Sequence, residues 1–142
     1  MKIIYKILDK FGYYRFRKAL LVPVNSEGQV LIQDRRGHRP PSWGYFGGGI
    51  EPGETPIVAL IREVKEELNL TLVEVDVQEV CILTASYDAG SVIKYVYLYR
   101  TDQETFTVLE GAGAYWVAVE EAKKRLNDKD QLVKVMQKID KI

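Results

Sequence analysis

Between Pro56 and Leu68 the apolar residues Ile57, Ile61, Val64 and Leu68 recur at spacings of four, three and four. At about 100° per residue they fall on one stripe, so the pattern predicts an amphipathic helix over Pro56–Leu68. Thr55 before Pro56 is a start signal, because Thr caps free amide groups and Pro fits the first helical position. Asn69 follows as a left-handed cap. Elsewhere the periodicity is strand-like: Lys2 to Leu8 and Tyr13 to Val24 are rich in branched and aromatic residues, and Val30 to Asp34 returns as a hairpin partner across the Asn25–Gly28 turn. Thr71 to Thr84 reads as one or two strands, and Val92 to Arg100 as another, with Tyr95, Tyr97 and Tyr99 on one face. A last strand is expected over Ala114 to Val119. Helices follow over Glu120 to Leu126 and Asp130 to Ile139, the latter burying Leu132, Val135, Met136 and Ile139. Strands on both sides of one helix, with terminal helices, predict an α/β or α+β layered domain.

Length and charge narrow the class. At 142 residues the chain suits a single domain, 1–142, without internal repeats. Twenty basic and twenty acidic residues cancel, so no global field recruits nucleic acid or an anionic membrane; a polyanionic ligand must be held by locally placed cations. One cysteine, Cys81, excludes an internal disulfide, and one histidine leaves no zinc ligand set. No apolar run approaches the roughly 20 residues of a membrane span, and charges interrupt the N-terminal stretch too early for a signal peptide. A cytoplasmic protein is the expectation.

Within the predicted helix, Glu63, Glu66 and Glu67 lie three and four residues apart toward its C-terminus. Like charges at this spacing cost a few tenths of a kcal/mol per pair, and the macrodipole there disfavours anions. Helix stability therefore does not explain them. A bound cation would; a solvated acidic face is the alternative. The segment before the helix carries Gly47, Gly48, Gly49 and Gly53, which let main chain approach a ligand or metal closely, and two further carboxylates, Glu51 and Glu54.

This stretch resembles the box of the Nudix hydrolase (MutT-like) family, G-x5-E-x7-R-E-U-x-E-E-x-G-U, where U is a bulky aliphatic residue. Gly48, Glu54, Arg62, Glu63, Val64, Glu66, Glu67 and Leu70 fall on its positions in register, and Asn69 stands where the box has Gly. Phe46 precedes Gly47 where the family often has Pro. The resemblance implies an α/β/α sandwich around a mixed β-sheet. It also implies a pyrophosphohydrolase acting on acid anhydrides. Glu63, Glu66 and Glu67 would be metal ligands, Gly48 and Glu54 would assist, and Arg62 would orient the carboxylates. An all-oxygen ligand set favours Mg²⁺, then Mn²⁺. Glu110 resembles the loop glutamate that some relatives use as a further metal ligand or base; an exposed loop residue is the alternative.

The implied substrate is a nucleoside diphosphate linked to another group. The short chain looks like members that cleave (deoxy)nucleoside triphosphates or oxidised nucleotides and release pyrophosphate. Tyr87, 17 residues beyond Leu70, lies near where dinucleoside polyphosphate hydrolases carry a tyrosine, and nucleotide-sugar hydrolysis stays open. A non-catalytic nucleotide-binding regulator is the other class, although every metal glutamate is present. Arg35, Arg36, His38 and Arg39 form the densest basic patch and lead into the glycine segment. The arginines are candidate phosphate or substrate contacts, with a solvated loop as the bland reading and His38 as a remoter base. Family members are often dimers, so a homodimer is a further expectation.

Overall fold

The computed structural model describes residues 2–37, 42–127 and 129–139. A first helix, α1 (Lys2–Lys10), leads into β1 (Phe16–Val24) and β2 (Val30–Asp34). Two short strands, β3 (Trp43–Gly44) and β4 (Phe46–Gly49), precede helix α2 (Pro56–Leu68). A 3-10 turn at Glu74–Asp76 then opens the long hairpin of β5 (Val77–Tyr87) and β6 (Gly90–Arg100). Strand β7 (Gly113–Val117) and helices α3 (Val119–Arg125) and α4 (Lys129–Ile139) complete the chain. None of the helices described is long and apolar enough to cross a membrane.

The α2 boundaries agree with the pattern. The Thr55 side chain accepts the Val58 N–H at 3.3 Å, and Asn69 takes φ 51° while its N–H donates to the Lys65 carbonyl. The N-terminus does not agree: Lys2–Leu8, expected as a strand, is helix α1. Ile3, Ile4, Ile7 and Leu8 fit a helical period as well as their branched side chains fit a strand, and tertiary contacts decide between the two. Asp9 accepts from the Arg17 guanidinium at 2.6 and 3.2 Å and from the Tyr95 hydroxyl at 2.6 Å, pinning α1 to β1 and β6. Strand β1 accordingly begins at Phe16 rather than Tyr13.

The seven strands form one mixed sheet in the order β3-β2-β1-β6-β5, with β4 pairing β1 and β7 pairing β2. The β1–β6 pair is parallel over its whole length, and the remaining pairs are antiparallel. Alternation sends Ala19, Leu21, Ile93, Tyr95 and Tyr97 to one face, where they pack against Ala59, Leu60, Val64 and Leu68 of α2. Val22, Val24, Val96 and Leu98 face the other way, against Ala122, Leu126, Leu132 and Val135 of α3 and α4. The result is an α/β/α sandwich, with each face buried by the period-two pattern of β1 and β6.

One feature of the sheet creates the site. β1 and β2 are in register only at Val24–Val30. Beyond that point β4 takes the place beside β1, pairing Lys18 to Leu21 with Gly49 to Phe46, while β2 turns to β3 and β7. The glycine segment is thus partly strand, and the split between β1 and β2 opens a cleft.

Candidate functional site

Helix α2 presents its carboxylates to the glycine strand in two groups. In the first, Arg62 is the hub. Its guanidinium donates to both oxygens of Glu54 at 2.8 Å, to Glu63 at 2.9 Å and to the Gly49 carbonyl at 3.0 Å, and stands 3.6 Å from Glu66. This fork holds the Glu54 carboxyl down at about 2 and raises Arg62 further above its already high value. Glu63 packs against Gly48: a Cβ on that glycine would lie 2.8 Å from the Glu63 carboxyl carbon. The absent side chain at Gly48 is therefore what admits Glu63 to the strand.

The second group centres on Glu67. The buried face of α2 runs through Ala59, Leu60, Val64, Glu67 and Leu68, so this acid lies within the apolar stripe rather than beside it. Glu67 is 1% exposed. Its Oε1 accepts the Gly47 N–H at 2.7 Å, and its Oε2 faces the Gln33 amide at 3.4 Å. Burial pushes its carboxyl up to about 7, against the pull of the Gly47 N–H; Glu63 and Glu110 add to the rise as neighbouring like charges. Gly47 sits at φ 107°, with its α-carbon so near β1 that a side chain would run into the Ala19 carbonyl. That close approach delivers the N–H to Glu67.

Glu110 reaches this place through the backbone. The N–H groups of Leu109 and Glu110 donate to the Glu67 carbonyl at 2.7 and 3.4 Å, clipping the segment before β7 to the end of α2. The Gln33 amide also donates to the Glu110 carbonyl at 3.4 Å.

Glu67, Gln33 and the glycines Gly47 to Gly49 line a cleft of about 330 Å³. Its floor holds a pair that sequence reasoning missed. Lys18 of β1 and Lys94 of β6 are direct partners in the parallel register, and both border the cleft. Each is a cation in an otherwise apolar row, Leu20, Val22 and Val24 in one strand and Val92, Val96 and Leu98 in the other. That interruption of the alternation was the available signal. Two cations side by side at the edge of a cleft suit an anionic group bound between them.

The basic patch divides. Arg35 lines the cleft. Arg36 turns away, donating to both oxygens of Asp34 at 3.1 and 2.9 Å and lying 4.9 Å from the Trp43 ring centroid. His38 and Arg39 lie outside the described residues. Tyr87 is exposed at the β5–β6 turn and borders a different hollow, with Leu83, Lys94 and Lys134. Glu63, Glu66, Glu67 and Gly48 are together on α2 and β4, although among the described residues no three carboxylate, imidazole or thiol groups are drawn in as a ready metal cluster. Arg62 holds the outer ones instead.

A family model described as NUDIX domain matches residues 15–139. The chain is 35% identical over 71 residues to an RNA pyrophosphohydrolase of Francisella tularensis subsp. mediasiatica, covering 50% of this chain and 43% of that one. It is 42% identical over 65 residues to nucleoside triphosphatase NudI of Salmonella agona, covering 43% of this chain and 46% of that one. The matched stretches thus span less than half the length of these curated relatives. Among solved structures, a Caenorhabditis elegans Ap4A hydrolase binary complex is similar at TM-score 0.68 and 24% identity, over 88% of this chain and 99% of that one. The Escherichia coli dihydroneopterin triphosphate pyrophosphohydrolase is similar at TM-score 0.71 and 19% identity, over 88% and 95%. At these identities the structural likeness is one of fold.

Proposed function

The chain belongs to the Nudix family, and from that premise we propose that its cleft hydrolyses a phosphoanhydride bond of a nucleoside diphosphate linked to another group. The substrate we favour is a (deoxy)nucleoside triphosphate or oxidised nucleotide, cleaved with release of pyrophosphate. The observation that carries this reading is the meeting, in one cleft, of the buried Glu67 carboxyl with the Lys18–Lys94 pair. Glu67 supplies a carboxylate to the cleft, and Lys18, Lys94 and Arg35 supply cations, as a polyphosphate attacked by water requires. The names of the two curated relatives, a pyrophosphohydrolase and a nucleoside triphosphatase, support the same bond type.

The donor set fits a hard cation. Glu63 and Glu110 both raise the carboxyl of Glu67, so three carboxylates are near enough to repel, which a divalent ion would relieve. Glu63, Glu66 and Glu67 would hold it, with Gly48 alongside. Mg²⁺ or Mn²⁺ bound there would neutralise phosphate oxygens and make a water more acidic.

The chain's own residues do the rest. Lys18, Lys94 and Arg35 bind the phosphates along the cleft. Arg62 orients Glu63 and Glu66, and Glu54 holds Arg62: a carboxyl at about 2 locked by two hydrogen bonds suits positioning better than proton transfer at neutral pH. Glu67, near neutrality, takes up a proton or releases it for a cation within the working range of pH. Glu110 adds a carboxylate from outside the helix.

The test is phosphate and pyrophosphate release from nucleoside triphosphates, oxidised triphosphates, dinucleoside polyphosphates and nucleotide sugars, with Mg²⁺ or with EDTA. Turnover of one group that stops in EDTA is the expected result. Nucleotide binding without turnover of any of them would replace hydrolysis with a regulatory role.

A further inference from the structure

Helix α4 carries a polar group that the proposed hydrolysis leaves unused. Gln131 is fully buried beside Leu132, and neither its Oε1 nor its Nε2 has a hydrogen-bond partner among the described residues. The other buried unpaired atom described, Glu79 Oε1, belongs to a carboxylate whose second oxygen pairs with Lys6 at 3.4 Å. Gln131 alone is wholly unsatisfied among the described residues. A buried amide without partners is costly, and its persistence calls for a partner from outside the chain.

Its surroundings indicate which. Gln131 borders the same cleft as Glu67, together with Trp43, Tyr45 and Asn127. Arg125 lies 4.6 Å from the Trp43 ring centroid, which sets the junction of α3 and α4 beside β3. Lys18 pairs with Gly49 and Lys94, which sets these two lysines by the glycine strand, while Trp43, Tyr45, Asn127 and Gln131 border the cleft toward β3 and that junction, where Arg35 packs on Gly44.

We propose that Gln131 reads the nucleobase of the substrate, an assignment that rests on the nucleotide-hydrolase reading. A primary amide offers one acceptor beside one donor, which matches the adjacent donor and acceptor on a base edge, as Asn and Gln do toward adenine. Turned over, the amide serves the reverse order. A sugar or a phosphate presents no such planar pair. The Trp43 ring is already covered by Arg36 and Arg125, so Tyr45 is the ring that suits the face of a base, and Asn127 places a second amide at the same end.

The test is Gln131→Met, which keeps side-chain length and removes both hydrogen-bonding atoms; Gln131→Leu serves if the first variant fails to fold. Steady-state hydrolysis is compared for four nucleoside triphosphates and for ribose 5-triphosphate, which lacks a base. For the preferred nucleotide KM rises about tenfold or more while kcat holds, and both constants for the abasic compound stay as in the parent. Without ligand the variant melts a few degrees higher, because two orphaned polar atoms are gone. An unchanged KM for every nucleotide overturns the assignment and leaves the hydrolase reading standing. So does a lower melting temperature with equal loss on the abasic compound, the mark of a purely structural role. If the parent protein hydrolyses none of the compounds, that reading fails, and calorimetric titration with the four nucleosides decides for Gln131: binding weakened in the variant supports it, and equal or absent binding overturns it.

Discussion

The carboxylate of Glu67 accepts the backbone N–H of Gly47 at 2.7 Å, across 20 positions of sequence. This bond ties the glycine strand to α2 and places an acid inside a hydrophobic stripe. Its folded-state carboxyl rises from 4.5 to about 7, so the fold favours the protonated form. The sign follows: Glu67 is harmless to stability below about 4.5, becomes destabilising as the pH rises to about 7, and stays so above. The shift corresponds to roughly 3 kcal/mol. Glu67→Gln should therefore raise the melting temperature of the metal-free protein at pH 8, leave it nearly unchanged at pH 4, and lower kcat by about 10²-fold or more. Thermal melts in EDTA at the two pH values, with a turnover assay, check both halves; equal melting shifts at pH 4 and pH 8 would refute the linkage.

Two adjacent glycines should fail in different ways. Gly47→Ala places a side chain at φ 107° against the Ala19 carbonyl, so the strand must move, and we expect a loss of about 3 kcal/mol or more in a denaturant titration. For Gly48→Ala the nearest atoms a side chain meets are those of the Glu63 carboxyl. A side-chain end can shift, so Gly48→Ala should melt within a few degrees of the parent while kcat falls about tenfold or more. Equal stability losses in the two variants would contradict the geometry.

Arg62→Lys keeps the charge and removes the fork that reaches Glu54, Glu63 and the Gly49 carbonyl together. The Glu54 carboxyl should then climb from about 2 toward its ordinary 4.5, read by carbon-detected NMR titration, with a matching loss of kcat. Because Glu54 is depressed in the fold, its contribution to stability is present above 4.5 and is lost as the pH falls toward 2. In the variant that contribution shrinks, because the folded and unfolded values approach each other.

Lys18→Met and Lys94→Met each remove one member of a like-charged pair at the cleft floor. Each should raise KM for a polyphosphate substrate about tenfold while kcat changes little. A KM unchanged in both variants would remove the phosphate-binding role; KM titrated against salt in parent and variants measures the electrostatic share.

Much of the site was legible locally. Apolar spacing, Thr55, Pro56 and Asn69 define α2 to its end residues, because helix periodicity and caps depend on neighbours in sequence. The box spacing brought Gly48, Glu54, Arg62 and Glu63 into one group, since a helix and the turn before it are themselves local objects. The two halves of the N-terminus were not legible: Lys2–Lys10 is helical because Asp9 finds Arg17 and Tyr95, and Tyr95 is 86 positions away.

The sequence by itself determined the helix, its carboxylates, the period-two strands and the glycines that permit close approach. Tertiary structure alone decided which carboxylate is buried, that Lys18 and Lys94 are neighbours, that Glu110 is clipped to Glu67, that Arg36 leaves the cleft for Asp34, and that Gln131 borders it. The physical reason is one of range. Periodicity and capping are set within a few residues, whereas register, burial and electrostatic environment depend on partners tens of residues away, which no local pattern records.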